Sequence, residues 1–217
     1  MPTFGWLHVV FLLQGLLWTL ALTVIAAVGG GLLGFAVALA RISHRPWLRG
    51  LAVVYVQVLQ GTPLLILMFL GFFGLNLMGF QRLPAIVAAG AAMTLFASAY
   101  LGEIWRGCIQ SVARTQWEAA ECLGLSRWAQ LRFVVLPQAL RIATPPTVGF
   151  AVQIVKNTSL ASVVGFVELA QAGRLVNNST FQPFIVYLLV AALYFVMCWP
   201  LSAWSRRLER KLNVGRR

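Results

Sequence analysis

The sequence predicts an all-α membrane protein with about five transmembrane helices, its N-terminus outside and its C-terminus cytoplasmic. Three observations carry this. The chain of 217 residues is 60% apolar and only 10% charged, with a mean hydropathy of +0.83; soluble domains average about 25% charged residues. The apolar runs are continuous rather than alternating and about 20 residues long, enough to span a bilayer as helices. Only helices and closed barrels satisfy their backbone groups in lipid, and a barrel needs alternation. Finally, basic residues cluster in every second connection, as the positive-inside rule requires.

The first span is expected within residues 16–40. Its Gly30 and Gly34 sit four apart, so a second helix can approach closely there, unless the pair merely faces lipid. The second span covers 51–73 and is interrupted at Gly61-Thr62-Pro63. Pro63 has no N–H for the carbonyl of Leu59, so a kink is expected. The third covers 84–105, the fourth 138–156 and the fifth 184–204. The segment 161–172 is apolar but too short to span; it is expected to lie flat or re-enter on the outer side. Asn177-Asn178-Ser179-Thr180, followed by Pro183, read as a loop before the last helix. No internal repeat or second domain is visible, so residues 16–212 form one domain.

Orientation follows from charge. Arg41, Arg45 and Arg49 share one connection, and Arg106, Arg114, Arg127, Arg132 and Arg141 surround the long central loop. Arg206, Arg207, Arg210, Lys211, Arg216 and Arg217 crowd the C-terminal end, while the other connections carry only Arg82 and Arg174. Trp47, Trp105, Trp128 and Trp204 then fall at the cytoplasmic interface, as an aromatic belt does. The net charge of +12 is therefore topological; no basic patch on a soluble fold points to nucleic acid. Cys108, Cys122 and Cys198 lack metal-ligand spacing and read as free thiols. No Lys or Arg precedes the first apolar stretch, which overshoots a signal-peptide core and is expected to be retained.

Catalytic chemistry has poor stock here. The acidic residues are Glu103, Glu118, Glu121, Glu168 and Glu209. There is no Walker A sequence, no GxSxG and no HExxH. His8 and His44 stand apart, as interfacial residues. Candidates for a polar path are few. Glu103 and Arg106 lie three apart near the cytoplasmic end of the third span, as a local ion pair or as a gate. Thr62, Thr94, Ser98 and Gln153 are polar positions at mid-depth on three helices. Such hydroxyls bond across helices or to their own backbone, or they outline a pocket wall. Lys156, Asn157, Thr158 and Ser159 form the densest polar run. Lys156 lies about 24 Å along a helix from Leu140, in the outer half of the bilayer. It can attract a carboxylate, cap helix carbonyls or contact Glu168.

The central loop, residues 114–137, is the most informative segment. Trp117, Ala120, Leu123 and Gly124 fall at helical spacing, giving a short helix an apolar or small face. Glu118 and Glu121 lie near its start, where the helix dipole favours anions. Gly124 can end the helix in a left-handed conformation, and Pro137 suits the start of the next helix. The product is a short amphipathic helix outside the membrane. It is shaped either to dock in a groove of a soluble partner or to lie on lipid headgroups.

Within it, Glu118, Ala119, Ala120, Gly124, Val134, Leu136 and Pro137 stand at the spacing EAA-x3-G-x9-[IV]-x-LP. This resembles the cytoplasmic coupling loop of the membrane subunits of bacterial ABC importers, with a type I transmembrane domain. Gln116-Trp117-Glu118, Leu123-Gly124-Leu125-Ser126, Leu136-Pro137-Gln138-Ala139-Leu140-Arg141 and Lys156-Asn157-Thr158-Ser159-Leu160 look like the polar amino acid permease branch of histidine, glutamine and glutamate type. The resemblance covers nearly the whole chain. It implies a multi-pass permease subunit of the bacterial inner membrane, passing a polar amino acid inward. It implies no cofactor on this chain, with ATP used by separate ABC ATPase subunits docked on the loop. Also implied are a second permease subunit, identical or not, and an extracytoplasmic solute-binding protein. Five helices with little polar surface are too few to enclose a hydrophilic path alone. The chain departs from the pattern at Gly149-Phe150-Ala151, where relatives often carry Asn after the Gly. The competing readings are a membrane-embedded enzyme and a non-transporting assembly subunit.

Overall fold

The computed structural model describes residues 4–74, 77 and 84–214; Phe80, Arg82, Arg216 and Arg217 lie outside them. The described residues form helices and their connections, with no strand. Helix α1 runs Trp6–Arg41, α2 Pro46–Gly61, α3 Leu64–Phe69 and α4 Ala85–Gln110. The short α5 covers Arg114–Cys122, and α6 covers Arg127–Ala129. Helix α7 spans Leu136–Asn157, α8 Leu169–Thr180 and α9 Pro183–Val214. Three helices, α1, α4 and α9, are each long and apolar enough to cross a membrane; two bent pairs raise the number to as many as five.

Helix α1 begins at Trp6 rather than near residue 16. At 36 residues it is about 54 Å long, well beyond a hydrocarbon core of about 30 Å. The Nδ1 of His8 accepts the N–H of Gly5 at 3.0 Å, so this histidine caps the helix start. Helices α4 and α9 also overrun their expected ends, to Gln110 and Val214. Hydropathy reports only the lipid-facing part of a helix; backbone hydrogen bonding carries it further into the interface.

Helices α1 and α4 pack backbone to backbone, and the small residues explain why. A Cβ placed on Gly30 would stand 2.5 Å from that of Ala97, and one on Gly34 would stand 3.0 Å from the carbonyl oxygen of Ser98. The close approach expected at this glycine pair is thus made. Leu22, Ala26, Met93 and Ala97 form the centre of the largest core cluster, with Leu64, Met68, Ile154 and Ala161 packed on it. Leu17, Val28 and Leu32 of α1, and Leu188, Phe195 and Val196 of α9, are exposed. In a bilayer they face acyl chains.

The expected kink of the second span is far sharper than a proline bend. Helix α2 and the segment Leu64–Gly74 meet at 100°. Thr62 is extended, at φ −103° and ψ 127°, as the ring of Pro63 disfavours the helical region for the residue before it. Pro63 then starts α3 instead of interrupting one helix. Tyr55 and Gln60 pin α2 to α4 through the hydroxyl of Ser98, at 2.6 Å, and the carbonyl of Ala99, at 3.3 Å.

The fourth helix does not begin after Pro137. It begins at Arg127 and passes through a π-helical turn, Gln130–Val135, into α7. There the N–H of Leu136 bonds to the carbonyl of Leu131. Pro137 has no N–H for Phe133, and the wider register upstream absorbs its ring. Helix α7 continues as a 3₁₀ segment, Thr158–Val164, ending at Gly165 with φ 82°. Residues 177–180 belong to α8 and are not loop; the turn into α9 is only Phe181 and Gln182. Helix α8 packs between the start of α1 and the start of α9 around Leu12, Leu169, Ala172, Val186 and Val190.

Candidate functional site: the basic-end helix and the polar positions

Helix α5 stands outside the apolar spans, at the end of the molecule where α1 and α4 terminate. Its inner face is Trp117 and Ala120; Ala120 is 2% exposed. Trp117 packs on a cluster of Ile109, Val112, Val135 and Ala139. Arg114 and Glu118 form an exposed i,i+4 pair at 2.9 Å, which contributes little by itself. The helix is also tied to α7 where Gln138 donates to the side-chain oxygen of Gln116 at 3.2 Å and to the carbonyl of Val134 at 2.9 Å.

The end of α5 is closed by two reciprocal backbone bonds. Leu125 N–H reaches the carbonyl of Ala120 at 3.2 Å, and Gly124 N–H that of Glu121 at 2.9 Å. This pairing is a Schellman closure, and it needs a left-handed residue. Gly124 supplies it, at φ 72°. Beyond it, Ser126 Oγ caps the next helix by accepting Ala129 N–H at 3.4 Å, and buried Gln130 donates to the carbonyl of Leu125 at 2.8 Å. Both sides of the turn are therefore held. Leu123, read from spacing as part of the apolar face, is instead 79% exposed at the tip. Glu118, Ala119 and Gly124 are exposed beside it, while Leu136 is half-buried in α7 and Pro137 is exposed.

The polar positions do not converge on one pocket within this chain. Thr62 is exposed at the α2–α3 break and donates to the carbonyl of Val58 at 2.8 Å. Thr94 faces α1, where a Cβ on Gly29 would stand 2.9 Å from its Cγ2. Ser98 is fully buried between α4 and Tyr55. Glu103 joins Arg41 at 3.2 Å and also its neighbour Arg106, so the pair expected within one helix is a triad linking α1 to α4. Gln153 and Asn157 do come together, at 3.2 Å on an exposed face of α7. Thr158 and Ser159 donate back to Val155 and Lys156 carbonyls, each at 2.8 Å.

Lys156 makes no ion pair among the described residues. Contact with Glu168 does not occur, because that carboxyl is already committed. Fully buried Glu168 caps α8, accepting the N–H groups of Ala170 and Gln171 at 2.8 Å each, and the hydroxyl of Tyr194 at 2.8 Å. Lys156 instead lines a groove of about 600 Å³ between α7 and α9, shared with Ser159, Tyr194, Ser202 and Arg206.

Several features escaped sequence reading. Trp105 is not simply interfacial; its indole donates to Thr147 Oγ1 on α7 at 2.8 Å. Phe150, at the departure Gly149-Phe150-Ala151, stacks on Tyr100 at 5.5 Å between ring centres. Pro145 and Pro146 lie inside α7, and Ser205 Oγ donates to the carbonyl of Pro145 at 2.9 Å. The prolines were visible in the sequence; their partner was not.

Comparison with known proteins gives a consistent picture. Residues 30–214 match the family described as binding-protein-dependent transport system inner membrane component. The chain is 38% identical over 201 residues to the probable glutamine ABC transporter permease protein GlnM of Bacillus subtilis, covering 93% of each chain. It is 34% identical over 200 residues to the L-cystine transport system permease protein TcyB of the same organism, covering 92% of this chain and 85% of that one. Among solved structures, one described as an amino acid ABC transporter with histidines superposes with a TM-score of 0.88 at 33% identity, over 97% of this chain and 100% of that one.

Proposed function

The chain belongs to the binding-protein-dependent transport system inner membrane components, and we propose that it passes a polar amino acid inward under the drive of an ATPase docked on α5. It is an inner-membrane permease subunit of an amino acid ABC importer and not an enzyme. The membrane-enzyme reading is thereby set aside.

The observation that carries the docking role is the build of residues 114–137. A helix on a base of half-buried Trp117 and buried Ala120, closed by Gly124 at φ 72°, presents Glu118, Ala119 and Leu123 outward. Such a rigid knob suits a groove in a soluble partner. ATP is bound and used by that partner, and this chain binds no cofactor. The termini follow the basic residues, with the N-terminus outside and the C-terminus cytoplasmic.

A second permease subunit, a copy of this chain or a relative, completes the path. Gln153 and Lys156 are exposed and Asn157 is half-buried, and the groove between α7 and α9 that Lys156 and Arg206 line is open on one side. Thr62, Thr94, Ser98, Glu103, Thr158 and Ser159 remain candidates for that path in another conformation. An extracytoplasmic solute-binding protein delivers the amino acid. Glutamine and L-cystine in the relatives' names support a polar amino acid without choosing one.

The test is Glu118→Ala in the reconstituted complex. Uptake and substrate-stimulated ATP hydrolysis should fall together while the chain still inserts. Unchanged uptake would overturn docking through α5. Lost uptake with a complex that no longer assembles would favour a purely structural subunit.

A further inference from the structure

A groove of about 1070 Å³ opens beside α5, where the α1–α2 connection, the end of α4 and the start of α6 meet. Six arginines line it: Arg41, Arg45, Arg49, Arg106, Arg114 and Arg127. Their partners are unequal. Arg41 and Arg106 are held by Glu103, and Arg114 by Glu118. Arg127 meets His44 Nε2 at 3.1 Å, which is no counter-charge. Arg45 and Arg49 pair with no carboxylate among the described residues. Glu121 also lines the groove, so cations remain in excess. Arg45 and Arg49 further straddle the first turn of α2, whose 16 residues aim their positive end here.

A free anion would need only this. The groove, however, has an apolar neighbour. Ile109 lines it and also lines a second groove of about 450 Å³ between α1 and α7. The second groove is walled by Val28, Leu32, Phe35, Leu136 and Leu140, and carries almost no polar surface. A cluster of guanidinium groups thus lies next to an apolar groove, with buried Ile109 as the wall they share. Exposed Trp47 and Trp128 mark the same level, where indoles favour the headgroup region. Neither a soluble phosphate nor an uncharged lipid matches both parts.

We propose that this pair of grooves binds one anionic phospholipid, its phosphate among Arg45, Arg49 and Arg127 and an acyl chain along the channel between α1 and α7. Guanidinium forks suit a phosphodiester, and each charge-assisted bond is about twice as strong as a neutral one. Any basic side chain near an anionic leaflet is attracted to it; a shaped basic groove beside an apolar one adds selectivity for one molecule. The groove shares Arg114, Glu118 and Glu121 with the docking helix α5, but the proposed phosphate ligands Arg45, Arg49 and Arg127 lie outside that helix.

Native mass spectrometry of the complex, purified in detergent with its ATPase subunits, tests this. Dioleoyl phosphatidylglycerol should stay bound to the permease where dioleoyl phosphatidylcholine does not, and millimolar inorganic phosphate should not displace it. Arg45→Ala with Arg49→Ala should lower the bound fraction about tenfold, two lost charge-assisted bonds outweighing the 1.4 kcal/mol that tenfold represents. Arg174→Ala, exposed on α8, should leave it unchanged. Gly31→Leu puts a side chain into the apolar channel, since Gly31 lines it and a Cβ there meets only Trp105, at 3.7 Å. It should weaken the dioleoyl lipid and spare the dihexanoyl one. Equal retention of the two headgroups overturns the proposal without any variant. Displacement by phosphate would reduce the site to a simple anion site. An ineffective Gly31→Leu would remove the acyl channel, for instance because a second permease subunit fills it.

Discussion

Tyr194 donates its hydroxyl to the buried carboxyl of Glu168 at 2.8 Å, fastening α9 to the first turn of α8. Thr19 of α1 holds the same turn, accepting the N–H of Leu169 at 3.1 Å. Three helices thus meet at one carboxyl. Tyr194→Phe should leave Glu168 with its two amide partners and Thr19 but without the Tyr194 hydroxyl, at a cost of about 1–3 kcal/mol. The unfolding temperature of the chain in detergent should fall accordingly. Tyr187→Phe, at a position 45% exposed, should not lower it.

Gly30 and Gly50 should respond oppositely to alanine. At Gly30 the new methyl would stand 2.5 Å from Ala97 Cβ, so α1 and α4 must separate, and overpacking of this kind costs about 1–3 kcal/mol. At Gly50, inside α2, nothing lies within 4 Å. There Ala should be neutral or stabilising by about 0.5–1 kcal/mol, as helix interiors prefer it. Thermal unfolding of the two variants in one detergent checks the contrast.

Gly124 closes the C-terminal end of α5. Its φ of 72° is one that β-branched residues resist, whereas Asn tolerates it. Gly124→Val should insert normally but sharply reduce substrate-stimulated ATP hydrolysis in the reconstituted complex, and Gly124→Asn should retain most of it. Equal stimulation in Val and wild type would show that the turn does not govern docking.

Lys156 faces a groove without an anionic partner among the described residues. An unpaired cation at the centre of a span costs roughly 3 kcal/mol on insertion scales, so a water-filled path or a second subunit should meet it. Lys156→Met should lower uptake more than Lys156→Arg, at equal amounts of protein in the membrane. Equal transport by Met and wild type would take the cation out of the path.

Orientation is checked with reporter fusions. A reporter after Arg217 should be cytoplasmic, and one after Phe80 periplasmic. Alkaline phosphatase activity at the C-terminal fusion would reverse the assignment.

Composition and the spacing of charges determined the solvent, the helical class and the number of apolar segments, because lipid leaves a chain few ways to satisfy its backbone. Gly124 and the close approach at Gly30 were also legible, each being a local need that only a residue without a Cβ meets. What the tertiary structure alone decided is direction. Whether Ser98 meets Tyr55 or a pocket, and whether Lys156 meets Glu168 or a groove, depends on the rotation of each helix about its axis. That rotation is set by packing between segments far apart in sequence. The 100° turn at Thr62-Pro63 and the π-helical entry before Pro137 belong to the same class. A proline states that a hydrogen bond is missing, and the neighbouring helices choose whether the chain kinks, folds back or widens its register.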